Sequence, residues 1–241
     1  MTIFLEIRKL KRTGYLSAFL GAGILSSAFP VINMRVRSET YISLSGDPFG
    51  ILMDANWQMT AMLNILITIC GACIMYHTEY AENGAQKMET LSVKPIRLFF
   101  SKFLIASGML AIMILLEMTA ITGCAFYWFS GFTFDFVTVV KNAAFQFMVC
   151  LPTVMLMLLI SSMCKNMWLS LGIGVILVFT LSILPQDNLV LSLFPFSSPY
   201  QTLDMAERNC HTSLFCIVCI AQTVLFYMGE TLYLKVKRCF A

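Results

Sequence analysis

Six predominantly apolar stretches follow one another along this chain, each close to the roughly 20 residues a helix needs to cross hydrocarbon. They cover Tyr15–Met34, Trp57–Tyr76, Phe103–Phe129, Ala143–Met163, Met167–Leu184 and Thr212–Leu234. The polar breaks between them are short, and the pattern predicts an all-α polytopic membrane protein with six transmembrane helices. Composition agrees. The 241 residues are 59% apolar and 12% charged, against about 45–50% and about 25% in soluble domains, so the surplus apolar surface has to face lipid. The third run is longer than a crossing requires and is expected to tilt or to project on one side. The fourth contains Pro152, whose missing N–H predicts a kink. No repeat and no polar domain interrupts the series, so residues 1–241 read as one transmembrane domain without an ATP-binding module of its own.

Orientation follows from the basic residues. Twelve of the sixteen Lys and Arg fall in segments that share one side of the membrane, including Arg8, Lys9, Lys11 and Arg12 near the N-terminus and Lys235, Lys237 and Arg238 in the tail. The other side holds Arg35, Arg37, Lys141 and Arg208. This positive-inside asymmetry predicts cytoplasmic N- and C-termini and a cytoplasmic 77–102 loop. Residues 2–12 place Ile3, Ile7 and Leu10 on one stripe and the charges elsewhere, the pattern of an interfacial helix. Ser26-Ser27-Ala28 imitates a signal cleavage site, but the run before and after it is long for a signal core, and it is expected to remain as the first span.

Signatures of catalysis are lacking: there is no Gly-x-Ser-x-Gly elbow, no His-Glu-x-x-His pair and no Walker-type loop. No catalytic residue is therefore assigned. The basic clusters are separated by spans, which argues against nucleic acid as a partner. Cys70/Cys73 and Cys216/Cys219 have metal-ligand spacing, yet they lie in apolar helices without a nearby His, so small packing residues are the better reading and no metal site is expected.

Two intramembrane acids stand out. Glu117 lies near the middle of the third span, where a charge costs about 2.5–3.5 kcal/mol on insertion scales, and is expected to face the bundle interior. It reads either as a polar lining or gating contact of a translocation path, or as a hydrogen-bonded structural residue. Glu230 lies close to Lys235 and Lys237, which predicts pairing or snorkelling at the interface. Before the last span, Asn188 to Tyr200 (NLVLSLFPFSSPY) is apolar, too short to cross, and broken by Pro195 and Pro199. A re-entrant or interfacial element containing Phe194, Pro195 and Pro199 is expected there.

The longest polar interval is His77–Lys102, HTEYAENGAQKMETLSVKPIRLFFSK. Glu82-Asn83-Gly84 signals a turn. Ala85, Met88 and Leu91 then share a face while Lys87 and Glu89 point away, and Pro95 can open a new helix through Arg97 into the third span. A short amphipathic helix between two membrane helices suits docking in a partner's groove.

The succession Glu79, Glu82, Gly84, Lys87, Leu91, Pro95, Arg97, Lys102 resembles the cytoplasmic loop of ABC-2 type permeases. Ala85 stands where that family usually has Thr, and Val93-Lys94 precede Pro95 as an insertion. Six spans, an interfacial N-terminal helix and a Pro-broken apolar segment before the last span extend the resemblance over nearly the whole chain. Small size, TEYAENGAQKMETLSVKPIR and FPFSSPY are most similar to permease subunits of lantibiotic (bacteriocin) self-immunity transporters. The resemblance implies a second permease chain, identical or similar, and a dimer of ABC ATPase subunits that binds ATP and Mg, with no cofactor on this chain. It also implies a bacterial plasma membrane location and an ATPase-coupling role for Glu79, Glu82, Gly84, Lys87, Met88, Leu91, Pro95 and Arg97. The expected cargo is an amphipathic antimicrobial peptide. Two alternatives stay open: export of another cargo (drug, lipid or sodium ion), and a non-transport scaffold or sensor subunit.

Overall fold

The computed structural model describes residues 2–11, 13–80, 95–164, 166–183 and 188–240. Expectations placed on Glu82, Gly84, Lys87, Met88 and Leu91 lie outside the described residues. In order, the elements are α1 (Thr2–Lys11), α2 (Tyr15–Ile42), α3 (Pro48–Tyr80), α4 (Pro95–Trp128), α5 (Phe136–Met163), α6 (Met167–Ser182), α7 (Leu189–Ser192), a 3-10 turn at Ser198–Tyr200, α8 (Leu203–Arg208) and α9 (Thr212–Phe240). Among the described residues every regular element is helical.

Five helices, α2, α3, α4, α5 and α9, are long and apolar enough to cross a membrane, and α6 is a shorter apolar helix of 16 residues. At 1.5 Å per residue α6 spans about 24 Å, less than the roughly 30 Å of a hydrocarbon core. The structure thus gives five helices long enough to cross and one shorter apolar helix where the sequence predicts six spans.

Several helices outlast their apolar runs. Asp47 accepts the Gly50 N–H at 3.0 Å and Pro48 occupies the first turn, so α3 starts nine residues before Trp57. α2 continues past Met34 and bends at Arg37, whose φ of −127° and ψ of 28° leave the helical region. Asp135 and Asn166 cap α5 and α6 by accepting the N–H two residues on. α5 runs continuously through Pro152 instead of breaking there. Beside the carbonyl that Pro152 leaves without its helix donor, the Ser198 hydroxyl donates to Val149 O at 2.9 Å, so a neighbouring segment supplies hydrogen bonding at the weak point.

α3 occupies the middle, packed by α2, α4, α5 and α6, while α2 lies along α4 and α9 along α5. The outer faces carry exposed Leu20, Ile24, Leu25 and Ile32 on α2 and Ile217, Val224, Leu225 and Leu232 on α9, surface that water would disfavour and lipid accepts. Gly71 lets this packing close up: a Cβ there would lie 2.5 Å from the Phe19 ring, so α2 rests its Tyr15 and Phe19 rings on bare α3 backbone. At the other end of that contact, Gly14 takes φ 71° and turns the chain from α1 into α2.

The N-terminal helix departs from its expected stripe. Leu10 and Glu6 are buried, while Ile3, Phe4 and Ile7 are exposed. The apolar side turned outward is Ile3–Phe4–Ile7, and a carboxylate faces the protein because cations await it there.

Candidate functional site

The last turn of α3 and the second turn of α4 bracket residues 81–94, and a knot of four charges ties these two helices to α1. Lys102 of α4 is 1% exposed. Its Nζ pairs with Glu79 Oε1 of α3, lies 3.9 Å from Glu6 Oε2 of α1, and sits 4.5 Å from the centre of the Tyr76 ring. Lys9 of α1 donates to Glu6 Oε1 at 2.7 Å and to Glu79 Oε1 at 3.3 Å. Two carboxylates and two ammonium groups balance, which is what allows charge to be buried at all. Desolvation works against the Lys9 ammonium, but its hydrogen bond to Glu6 and the charges of Glu6 and Glu79 prevail, and its pKa is raised.

The same turn of α3 reaches the other side of the bundle. The Tyr80 hydroxyl donates to Ser162 O of α5, and Ser162 Oγ donates to Glu230 Oε2 of α9 at 2.6 Å. Glu230 is buried, at 2% exposure. Tyr76, Glu79 and Tyr80 together connect α3 to α1, α4 and α5, and through Ser162 to α9.

Of the residues singled out for coupling, Glu79 stands in the knot, Pro95 is the first residue of α4, and Arg97 is exposed two residues later. Glu6, Lys9 and Tyr76 were not singled out. Glu6–Lys9 spacing on a helix was the available signal, but it reads equally well as a solvated pair. Lys102 is legible as the charge that opens the third span, not as the centre of a network.

In the second half of α4, Glu117 is 1% exposed. Ser26 of α2 donates to its Oε1, and Asn64 of α3 and Gln146 of α5 both donate to Oε2, at 3.0 and 3.3 Å. Four helices meet at one carboxylate. Among the described residues no Lys or Arg pairs with it.

At the end of the bundle away from the knot, residues 195–203 are all buried. Trp57 Nε1 donates to Pro199 O at 3.0 Å, Thr153 Oγ1 donates to Pro195 O, and Gln222 donates to Leu193 O at 2.8 Å. Carbonyls that the two prolines keep out of regular structure are thus met by side chains of α3, α5 and α9. Phe194 remains exposed. Beside this segment is a cavity of about 400 Å³, lined in part by Asp47, Asp54, Lys141, Asp204, Glu207 and Arg208.

Cys73 lies at the contact of α3, α5 and α6, donating to Ser170 Oγ at 3.4 Å, whereas Cys70 is exposed. Among the described residues no group of three or more His, Cys, Asp or Glu side chains gathers to hold a metal ion.

A protein-family model described as ABC-2 family transporter protein matches residues 2–181. No curated protein and no solved structure matches the chain.

Proposed function

The chain belongs to the ABC-2 family of transporter proteins, and from that premise we propose that it is the permease subunit of an ATP-driven exporter that expels a lantibiotic or similar antimicrobial peptide. Membership makes it a multi-pass membrane subunit that works with an ABC ATPase. In the proposed arrangement two permease chains, identical or paired with a similar sister, join two ATPase subunits. These bind ATP and Mg and carry out the hydrolysis. Both termini and residues 77–102 face the cytoplasm of a bacterial cell, where Glu82, Gly84, Lys87, Met88 and Leu91 contact the ATPase.

The observation that carries the coupling role is the charge knot. Closure of the ATPase pair moves the ends of residues 81–94, and those ends cannot move alone. Glu79 and Lys102 are joined to each other and to Glu6 and Lys9. A push on the loop therefore displaces α1, α3 and α4 as a unit, and Tyr80 conveys it to α5. This is an assembly for transmitting work, with no reacting atoms of its own.

The peptide cargo is supported by the resemblance of the loop and of FPFSSPY to immunity permeases. The cavity at the opposite end adds to it, because Asp47, Asp54, Asp204 and Glu207 outnumber Lys141 and Arg208 around it and favour a cationic guest. Glu117, buried among four helices, is read here as a fixed point of the bundle around which α2, α3, α4 and α5 shift.

Co-expression with the ATPase subunit, scored by survival against a panel of lantibiotics, tests the function. Charge reversal at Glu82, or Met88→Pro, is expected to abolish protection and co-purification of the ATPase. Normal assembly and protection by both variants would refute the coupling assignment. Protection against small drugs without protection against cationic peptides would reassign the cargo.

A further inference from the structure

The Glu117 cluster leaves two hydrogen-bonding sites empty, and both are acceptors. Asn64 and Gln146 use their amide nitrogens on Glu117 Oε2, and their oxygens, Asn64 Oδ1 and Gln146 Oε1, are buried without a partner. Both residues are essentially inaccessible, at 0% and 1% exposure. Turning either amide round would bring its oxygen against the carboxylate and set two acceptors face to face, so the carboxylate dictates the orientation. By covalent geometry each bare oxygen then lies next to the nitrogen that holds Oε2. Two unpartnered oxygens beside one buried carboxylate call for an explanation.

The occupant can be identified by what is missing. Ser26, Asn64 and Gln146 each have a hydrogen to donate to Glu117, a surrounding that suits an ionised carboxylate. In that form Glu117 brings one negative charge into the bundle without a Lys or Arg partner among the described residues. A water molecule could bond both amide oxygens but would leave the charge. A proton on Glu117 would remove the charge and could be accepted by one amide turned round, but would leave the other amide oxygen bare. A cation answers both needs at once. The groups on offer are one carboxylate, two amide oxygens and the Ser26 hydroxyl oxygen, a hard oxygen set suited to alkali and alkaline-earth ions. Its single negative charge matches a monovalent ion, since a divalent ion would carry uncompensated charge into a low-dielectric interior.

We propose that Glu117, Asn64, Gln146 and Ser26 form a binding site for a monovalent alkali cation that pins α2, α3, α4 and α5 together. The site is a resident feature of the permease and does not depend on the cargo or on the coupling reading, so its test uses the full-length permease alone.

Thermal unfolding of the detergent-purified chain, followed by tryptophan fluorescence in sodium, potassium or choline chloride at equal ionic strength, reads the site directly. A ligand that binds only the folded state raises its unfolding temperature in proportion to the logarithm of concentration. Sodium or potassium is expected to raise the midpoint relative to choline, and Glu117→Gln is expected to abolish that dependence. Should Glu117→Gln fail to fold, Gln146→Leu serves instead. It removes one bare oxygen and is expected to weaken the apparent cation affinity about tenfold, which is 1.4 kcal/mol. Identical wild-type midpoints in the three salts would overturn the proposal in favour of a bound water or a protonated carboxyl. A full alkali response in Glu117→Gln, or an undiminished affinity in Gln146→Leu, would overturn it as well.

Discussion

Two groups of buried carboxylates in this bundle are stabilised in opposite ways. At the loop end Glu6 and Glu79 face Lys9 and Lys102, charge against charge, with Tyr76 beneath the Lys102 ammonium. In the second half of α4, Glu117 faces a hydroxyl and two amides. The loop-end knot joins helix termini and an N-terminal segment, where small displacements can be taken up by the connections. The central cluster joins the middles of four long helices, where displacement of one strains the other three. Paired charges suit a joint that transmits force, because attraction persists when distances change slightly. Directional bonds from neutral donors suit a joint that fixes geometry, because they weaken steeply once misaligned.

The contrast can be broken by removing one component at a time and measuring unfolding in detergent. The largest effect is expected for Lys102→Met, which leaves Glu79 and Glu6 to share Lys9 alone; loss of one partner from a buried pair costs about 3–5 kcal/mol. Glu117→Leu comes next, at about 2–4 kcal/mol, since three buried donors lose their acceptor. Glu117→Gln keeps an acceptor and is expected to cost about 1 kcal/mol or less. A Gln variant as damaging as the Leu variant would show that the charge, and not the hydrogen bonding, holds the centre.

Smaller effects sharpen the comparison with the proline-rich segment, where no charge is involved. Trp57→Phe removes the donor to Pro199 O and is expected to cost about 1–3 kcal/mol, the penalty of a buried carbonyl left bare. Lys9→Met should be the mildest, about 1 kcal/mol or less, because its side chain is 35% exposed and solvent screens the pair. Because the Lys9 pKa is raised on folding, its contribution is complete below the ordinary lysine value near 10.5 and is lost only as pH rises through the higher folded value. The difference in midpoint between wild type and Lys9→Met is therefore expected to stay constant through the neutral range.

Much of the architecture is legible in the residue order. Apolar runs of fixed length reveal membrane helices, since the thickness of hydrocarbon sets a length that composition must match. Their ends are less legible. Hydropathy reports where lipid stops, whereas α3 begins at the Asp47–Pro48 cap and α9 continues to Phe240, because backbone hydrogen bonding carries on in water once a helix is nucleated. α6 shows the reverse, its 16 residues falling short of the run that suggests it.

The sequence by itself determined that Glu117 must face inward, because a carboxylate cannot rest in lipid, and that residues 188–200 could be neither a span nor a free loop. It also determined that Glu79 and Lys102 bracket the polar interval. Only the tertiary structure decided who meets them. Ser26, Asn64 and Gln146 stand on three different helices, and Glu6 reaches Lys102 across α2 and α3 in sequence. Each of these residues alone has a bland reading on its own helix. Their partners follow from which helix faces pack together, a property of the whole bundle that Gly71 and the other close contacts settle and that no local pattern encodes.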